Sequence, residues 1–206
     1  MKAICLVKQV PELGAIEFDE ETHSLKREGV PVELNAFDDY AVQHAVLLAD
    51  EVVAMTMGPP QAEEALRDCL ALGAQRAIHL SDRVFAVADT LGTSRTLALA
   101  IEKEGADLVL CGRKALDSET WQVPSQVAAF LGWPHVTNAA AVERSGDTLR
   151  LTRHTDFGEE LYEADAPVVV CAIGISIATS LCFGWLPALR ARAQDVTRAL
   201  ADDGAA

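Results

Sequence analysis

The chain has 206 residues, half of them apolar and 23% charged, enough for one domain with a substantial core. A formal net charge of −14 excludes nucleic acid as the expected partner, because so acidic a surface repels phosphate backbones. No uncharged apolar run reaches the roughly 18 residues of a membrane span, and "MKAICLVKQV" reads as a first strand rather than a secretory signal.

In chain order, "AICLVKQV" is an apolar strand ending in a polar turn, and "VPVELN" is a short extended piece. "AFDDYAVQHAVLLAD" predicts a helix with Phe37, Tyr40, Ala41, His44, Ala45 and Leu48 on its apolar stripe. "EVVAMTMG" is a strand closed by glycine. "PPQAEEALRDCLALG" carries proline at its start and glycine at its end, the usual helix punctuation, with Ala62, Ala65, Leu66, Cys69 and Leu70 as its buried stripe. "RAIHL" is a short strand. "DTLGTSRTLALAIEKEG" is a helix capped by Asp89 and closed by Gly105. "DLVLCG" is an apolar strand, followed by a polar loop and a helix through Phe130. This alternation predicts an α/β fold, a parallel sheet covered on both faces. After Pro134 the pattern turns β-rich, with two strands about "SGD" and two more in "GEELYEADAPVVVCAI", expected to extend the sheet's edge. Residues 1–176 are expected to form one compact α/β domain, and 177–206 a C-terminal extension with a polar tail.

The cysteines, at 5, 69, 111, 171 and 182, form no CxxC or CxxH pair, and the histidines are scattered. Free thiols in a reducing cytoplasm are therefore expected, and no metal site. No Walker A motif is present, no GxGxxG follows the first strand, and no local motif supplies a nucleophilic triad, so no catalytic residue is assigned. Four polar segments follow strands or open helices: "LNAFDD", "TMGPPQ", "ADTLGTS" and "CGRKALDSETWQVPS". In open parallel sheets ligands bind beyond the carboxyl ends of the strands, and helix N-termini present free N–H groups to phosphate. Gly58 and Gly112 would let a ligand approach the backbone. Each segment alone reads more readily as a cap or turn. Only their convergence on one sheet edge would make a nucleotide site.

The same segments resemble the beta subunit of electron transfer flavoprotein, in its bacterial and nitrogen-fixation-associated branch. "CLVKQVP" is similar to that family's opening strand, "LNAFDDYAV" to its first helix start, and "TMGPPQAEEALRDCLALGAQRAIHLSDR" to its central stretch. "ADTLGTSRTLALAI" and "CGRKALDSETWQV" resemble its helix start and its nucleotide loop. Arg153, Asp156, Gly158, Glu160 and Pro167 keep the spacing of its signature. The likeness covers about residues 2 to 173. It implies a doubly wound, mostly parallel sheet of the adenine-nucleotide alpha hydrolase-like kind. It also implies a bound adenine nucleotide, AMP or FAD, in this chain. The electron-transferring FAD would be shared with, and lie mainly on, an alpha subunit. Flavin-dependent dehydrogenases would be the electron donors.

Carried across, the cofactor contacts implied are Leu6, Asn35, Ala36, Phe37, Asp38 and Met57. To these the resemblance adds Gly112, Arg113, Lys114, Ala115, Leu116, Asp117, Ser118, Glu119, Thr120, Trp121, Gln122 and Val123. Thr120 and Gln122 are expected at the phosphate, and Thr90 and Thr93 against an FAD. Trp121 and Pro124 depart from the family pattern and would narrow the loop. Phe157 replaces a glycine of the signature. "LPALRAR" resembles the segment presented to dehydrogenases, with Leu186 as apolar anchor, although Leu186 and Leu189 read equally as packing of a terminal helix. The family's C-terminal arm has no counterpart in these 206 residues. A second reading therefore stays open: a stand-alone adenine-nucleotide-binding protein without flavin or redox role.

Overall fold

A computed structural model describes residues 1–12 and 31–172, together with the backbone of the short strands β3 (Phe18–Asp19) and β4 (Ser24–Leu25), which follow β1 (Lys2–Leu6) and β2 (Gln9–Pro11). The expected boundary at 176, Cys182 and the Leu186 segment lie outside the described residues. Next come β5 (Val32–Leu34), α1 (Ala36–Leu48), β6 (Glu51–Met57), α2 (Glu63–Leu72), β7 (Arg76–Leu80), α3 (Thr90–Glu104), β8 (Leu108–Gly112) and α4 (Val123–Leu131). The chain then enters β9 (His135–Ser145), β10 (Thr148–Thr155), β11 (Gly158–Asp165) and β12 (Val168–Ala172).

Eight strands form one sheet in the order β11-β10-β9-β12-β8-β1-β6-β7. From β9 through β12, β8, β1 and β6 to β7 all neighbours are parallel, whereas β9, β10 and β11 form an antiparallel meander. Alternation along β1 explains the two-sided core, since successive strand residues face opposite sides. Ala3 and Cys5 pack with Ala41, Val42, Leu66 and Cys69 from α1 and α2. Ile4 and Leu6 pack with Leu97, Ile101, Val127 and Ala128 from α3 and α4. This is the doubly wound arrangement expected. Strands buried on both faces read as continuous apolar runs, which is why "AICL", "VVAM" and "LVLC" were legible. Burying one leucine such as Leu110 contributes about 1.5–3 kcal/mol relative to exposure.

Three expectations need correction. The β-rich part only partly extends the edge: β9 to β11 do, but β12 enters the interior between β8 and β9. Val168–Ala172 is buried throughout, and only an interior strand of a covered sheet is buried on both faces. The stripe of α1 is rotated by about one residue. Asp38, Ala41, Val42 and Ala45 face inward, Phe37 and His44 are half-buried, and Tyr40 is exposed. The cause is Asp38, whose carboxylate is drawn inward by two backbone N–H groups. On α2, Leu70 lies at the exposed rim while Ala62, Ala65, Leu66 and Cys69 are buried. The "VPVELN" strand, β5, pairs with β2 in a separate two-stranded ribbon.

Candidate functional site

The carboxyl ends of β1, β6 and β8 and the starts of α3 and α4 surround a cavity of about 1050 Å³. That is just above the roughly 300–1,000 Å³ typical of ligand pockets. Of the expected residues, Leu6, Asp38, Met57, Thr90 and Thr93 line it. So do Gly112, Arg113, Lys114, Ala115, Ser118, Thr120, Trp121, Gln122 and Val123. Asn35, Ala36, Phe37, Leu116, Asp117 and Glu119 do not line it. Several of these hold the wall from behind.

Asn35 stands at the N-cap position of α1 but its side chain caps nothing there. Its amide instead donates to the carbonyl of Lys114 at 2.9 Å, and its Oδ1 accepts from the Leu116 N–H at 3.3 Å. It ties the nucleotide-loop candidate to the start of α1. Asp38 does the same for the strand ends, accepting from the backbone N–H of Lys8 at 2.9 Å and of Gly112 at 3.0 Å. Burial pushes its carboxyl up to about 7, against the lowering pull of Asn35, the two N–H groups and the Lys8 charge. A Cβ on Gly112 would lie 2.5 Å from Asp38 Oδ1 and 2.6 Å from the carbonyl carbon of Phe37. The absent side chain therefore makes room for α1 rather than for a ligand, and a Cβ on Gly58 would press on Ala62 at 3.1 Å. Both glycines also line the cavity.

The loop is fastened twice more. Lys8 Nζ donates to both carboxylate oxygens of Asp117, at 2.8 and 2.7 Å, and Lys114 pairs with Glu119. Exposed pairs of this kind each contribute at most about 1 kcal/mol, so they set the loop's shape more than its stability. Glu119 and Trp121 adopt positive φ, 47° and 63°, which non-glycine residues seldom do. This turn lays the Trp121 ring under the Arg113 guanidinium, 4.0 Å from its centroid. Trp121 thus forms a wall of the mouth. Arg113 Nε is enclosed with no hydrogen-bond partner.

The two helix starts differ. Asp89 Oδ1 caps α3 by accepting from the Gly92 N–H at 2.8 Å. The start of α4 has no side-chain cap, and Pro124 in its first turn has no N–H. The donors there are the N–H groups of Val123 and Ser125, a natural seat for an anion. Thr90 Oγ1 donates to Gln122 Oε1 at 3.0 Å, joining the two starts across the cavity.

Sequence reasoning missed most of one wall: Ser81, Asp82, Arg83 and Phe85, after β7. A signal was available. Asp82 caps the turn Arg83–Phe85 by accepting from the Val84 N–H at 3.0 Å, and the turn follows a parallel strand just as the other segments do. Lys8 was missed as well. Among the described residues, no cluster of three His, Cys, Asp or Glu side chains is placed to hold a metal, and no helix is long and apolar enough to cross a membrane.

The chain matches the electron transfer flavoprotein domain model over residues 22–203. It is 42% identical over 177 residues to the electron transfer flavoprotein subunit beta of Clostridium acetobutylicum, covering 84% of this chain and 68% of that one. It is also 42% identical over 179 residues to the caffeyl-CoA reductase-Etf complex subunit CarD of Acetobacterium woodii, with the same coverage. Protein FixA of Azorhizobium caulinodans is 35% identical over 182 residues, 82% of this chain and 65% of that protein. These likenesses favour an electron-transfer role over a stand-alone nucleotide-binding protein. On the match to the domain and on identity at this level, the chain belongs to the electron transfer flavoprotein family, as a protein of the beta-subunit type.

Proposed function

We propose that the crevice binds an adenine nucleotide, FAD in preference to AMP, and that the protein works with an alpha subunit to carry electrons from flavin-dependent dehydrogenases. The carrying observation is the extent of the cavity. It runs from the loop at 112–124 to the turn at 81–90, and its 1050 Å³ lies just above the usual range of ligand pockets, as suits an extended dinucleotide. The residues suit the ligand chemically. The N–H groups of Val123 and Ser125 would take a phosphate, with Thr120 and Gln122 beside it, and Thr90 and Thr93 would face the second half of a dinucleotide. Arg113 offers an enclosed donor without a partner, and its charge offsets the ligand's. A flavin held here would supply reversible one- and two-electron redox chemistry, while the chain supplies binding, orientation and shielding from water. The chain itself is then a carrier subunit and not a catalyst. A further FAD would be shared with the alpha subunit, and Leu186 would be the anchor for the dehydrogenase. Four buried free cysteines among the described residues suit a reducing cytoplasm.

Denaturing the purified protein and separating the released compounds by chromatography tests the ligand. FAD is the expected compound. AMP alone would overturn the preference for FAD. No adenine compound, with no calorimetric binding of either, would overturn the site.

A further inference from the structure

A second cavity, of about 420 Å³, lies on the antiparallel part of the sheet. Its walls include His135 and Thr137 of β9, Arg153 of β10, Tyr162 and Glu163 of β11, and Val168. His135 opens β9 and Val168 opens β12, so the cavity reaches the amino ends of these parallel strands, away from the nucleotide crevice. Two of its wall residues carry enclosed nitrogens with no hydrogen-bond partner, Arg153 Nε and His135 Nε2. Enclosed polar atoms are nearly always satisfied, and Arg153 Nε, a donor in every state, calls for an acceptor, which His135 Nε2 joins in holding when it carries the ring proton.

The chemistry of that acceptor follows from the partners already taken. Arg153 donates through Nη1 to Glu160 at 3.2 Å, and Tyr162 donates to the same carboxylate oxygen at 2.7 Å. Glu163 is held by Arg150 at 3.0 Å, and Glu159 by His154 at 2.8 Å. The nearby acids are thus engaged by their own partners, while the Nε–Nη2 edge of Arg153 has no acceptor among the described residues. That edge is a planar pair of donors matched to two oxygens of one oxyanion.

We propose that this second cavity is a site for a small oxyanion, of the class of inorganic phosphate or a short carboxylate, held by the free edge of Arg153 and by His135. Nothing in it depends on the nucleotide crevice, so either site can fail without the other. His135 is a built-in reporter. Burial and then the Arg153 charge hold its pKa below the ordinary value, and an anion beside Arg153 would cancel the second effect.

The test uses the full chain without added nucleotide, and the His135 ring, which lines this cavity and not the main crevice, keeps the reading local. Inorganic phosphate, and in a second arm acetate, is titrated at constant ionic strength while the His135 ring resonances are followed by NMR. A saturable shift is expected, with an upward move of the His135 pKa. Response to both anions assigns a general oxyanion site, and response to phosphate alone assigns a phosphate site. Arg153→Gln is expected to weaken binding about tenfold or more. Should that variant fail to fold, Arg153→Lys keeps the charge, loses the planar edge and is expected to weaken binding too. His135→Gln, followed by calorimetry, gives a third reading. Absence of a saturable response to either anion, or equal affinity in the folded Arg153 variant, overturns the proposal.

Discussion

Strands β11 and β12 are separated by two residues, Ala166 and Pro167, yet they live in different environments. Val168–Ala172 is buried at every position between β8 and β9, whereas β11 is exposed along most of Gly158–Asp165 at the edge of the sheet. Phe157 and Leu161 stand out in solvent there, and the charges of β11 are met by partners from β10, as in Arg150–Glu163 and Arg153–Glu160. Charged side chains on an edge strand discourage pairing with another sheet. The parallel half therefore takes its stability from area removed from water, and the meander gains little from each outward side chain. The same division separates a crevice built at strand ends from a cavity built on a sheet face.

A pair of substitutions sharpens this contrast most. Leu110→Ala, at the centre of the parallel half, should cost about 2–5 kcal/mol in chemical denaturation. Leu161→Ala, on the outer strand, should stay within about 0.5 kcal/mol. Comparable losses at the two sites would show that something covers β11 in solution.

Next in size is the pH dependence set by Asp38. Its folded value of about 7 lies above its ordinary 3.8, so the folded protein holds this proton more tightly than the unfolded chain does. The resulting stabilisation is complete below about pH 4 and is lost as pH rises to about 7, at no more than about 1.4 kcal/mol per pH unit. Asp38→Asn cannot ionise and should flatten that limb in urea titrations run at several pH values. Parallel pH profiles for the two proteins would rule out Asp38 as the group responsible.

A smaller effect than that of Leu110 or Asp38 is expected at the cap of α3. Asp89→Ala removes the acceptor for the Gly92 N–H and should cost about 1 kcal/mol, read as a lowered midpoint of thermal unfolding. A loss near zero would mean that water or a bound ligand replaces the cap.

Much of the parallel half was legible because its signals are local. Apolar runs bounded by glycine mark β6 and β8, and Asp89 with Gly105 brackets α3. What escaped depends on distant partners. Periodicity says nothing of strand order, so the interior place of β12 was hidden. "LNAFDD" reads as a cap or turn, but Asn35 is spent on a loop some 80 residues later, and Asp38 on Lys8 and Gly112. The rotation of α1 followed from that second choice. The site was legible in the loop at 112–123 and partial elsewhere. The wall at 81–85 carries only a turn cap, Asp82, and its place at the site depends on which strand ends the sheet brings together.

The place of β12 also has a meaning in time. As the chain leaves the ribosome, β1, β6, β7 and β8 are all made by residue 112 and can pair among themselves. The meander of β9, β10 and β11 follows, but it touches the first group through β12, which is made last of the four. Until residue 172 has emerged, the apolar strand β8 keeps an open edge of unpaired N–H and C=O groups, the kind that invites pairing with the wrong chain. For this protein the last described strand to be synthesised is the one that closes the sheet, and the interval before it arrives is when a nascent chain has most need of a chaperone.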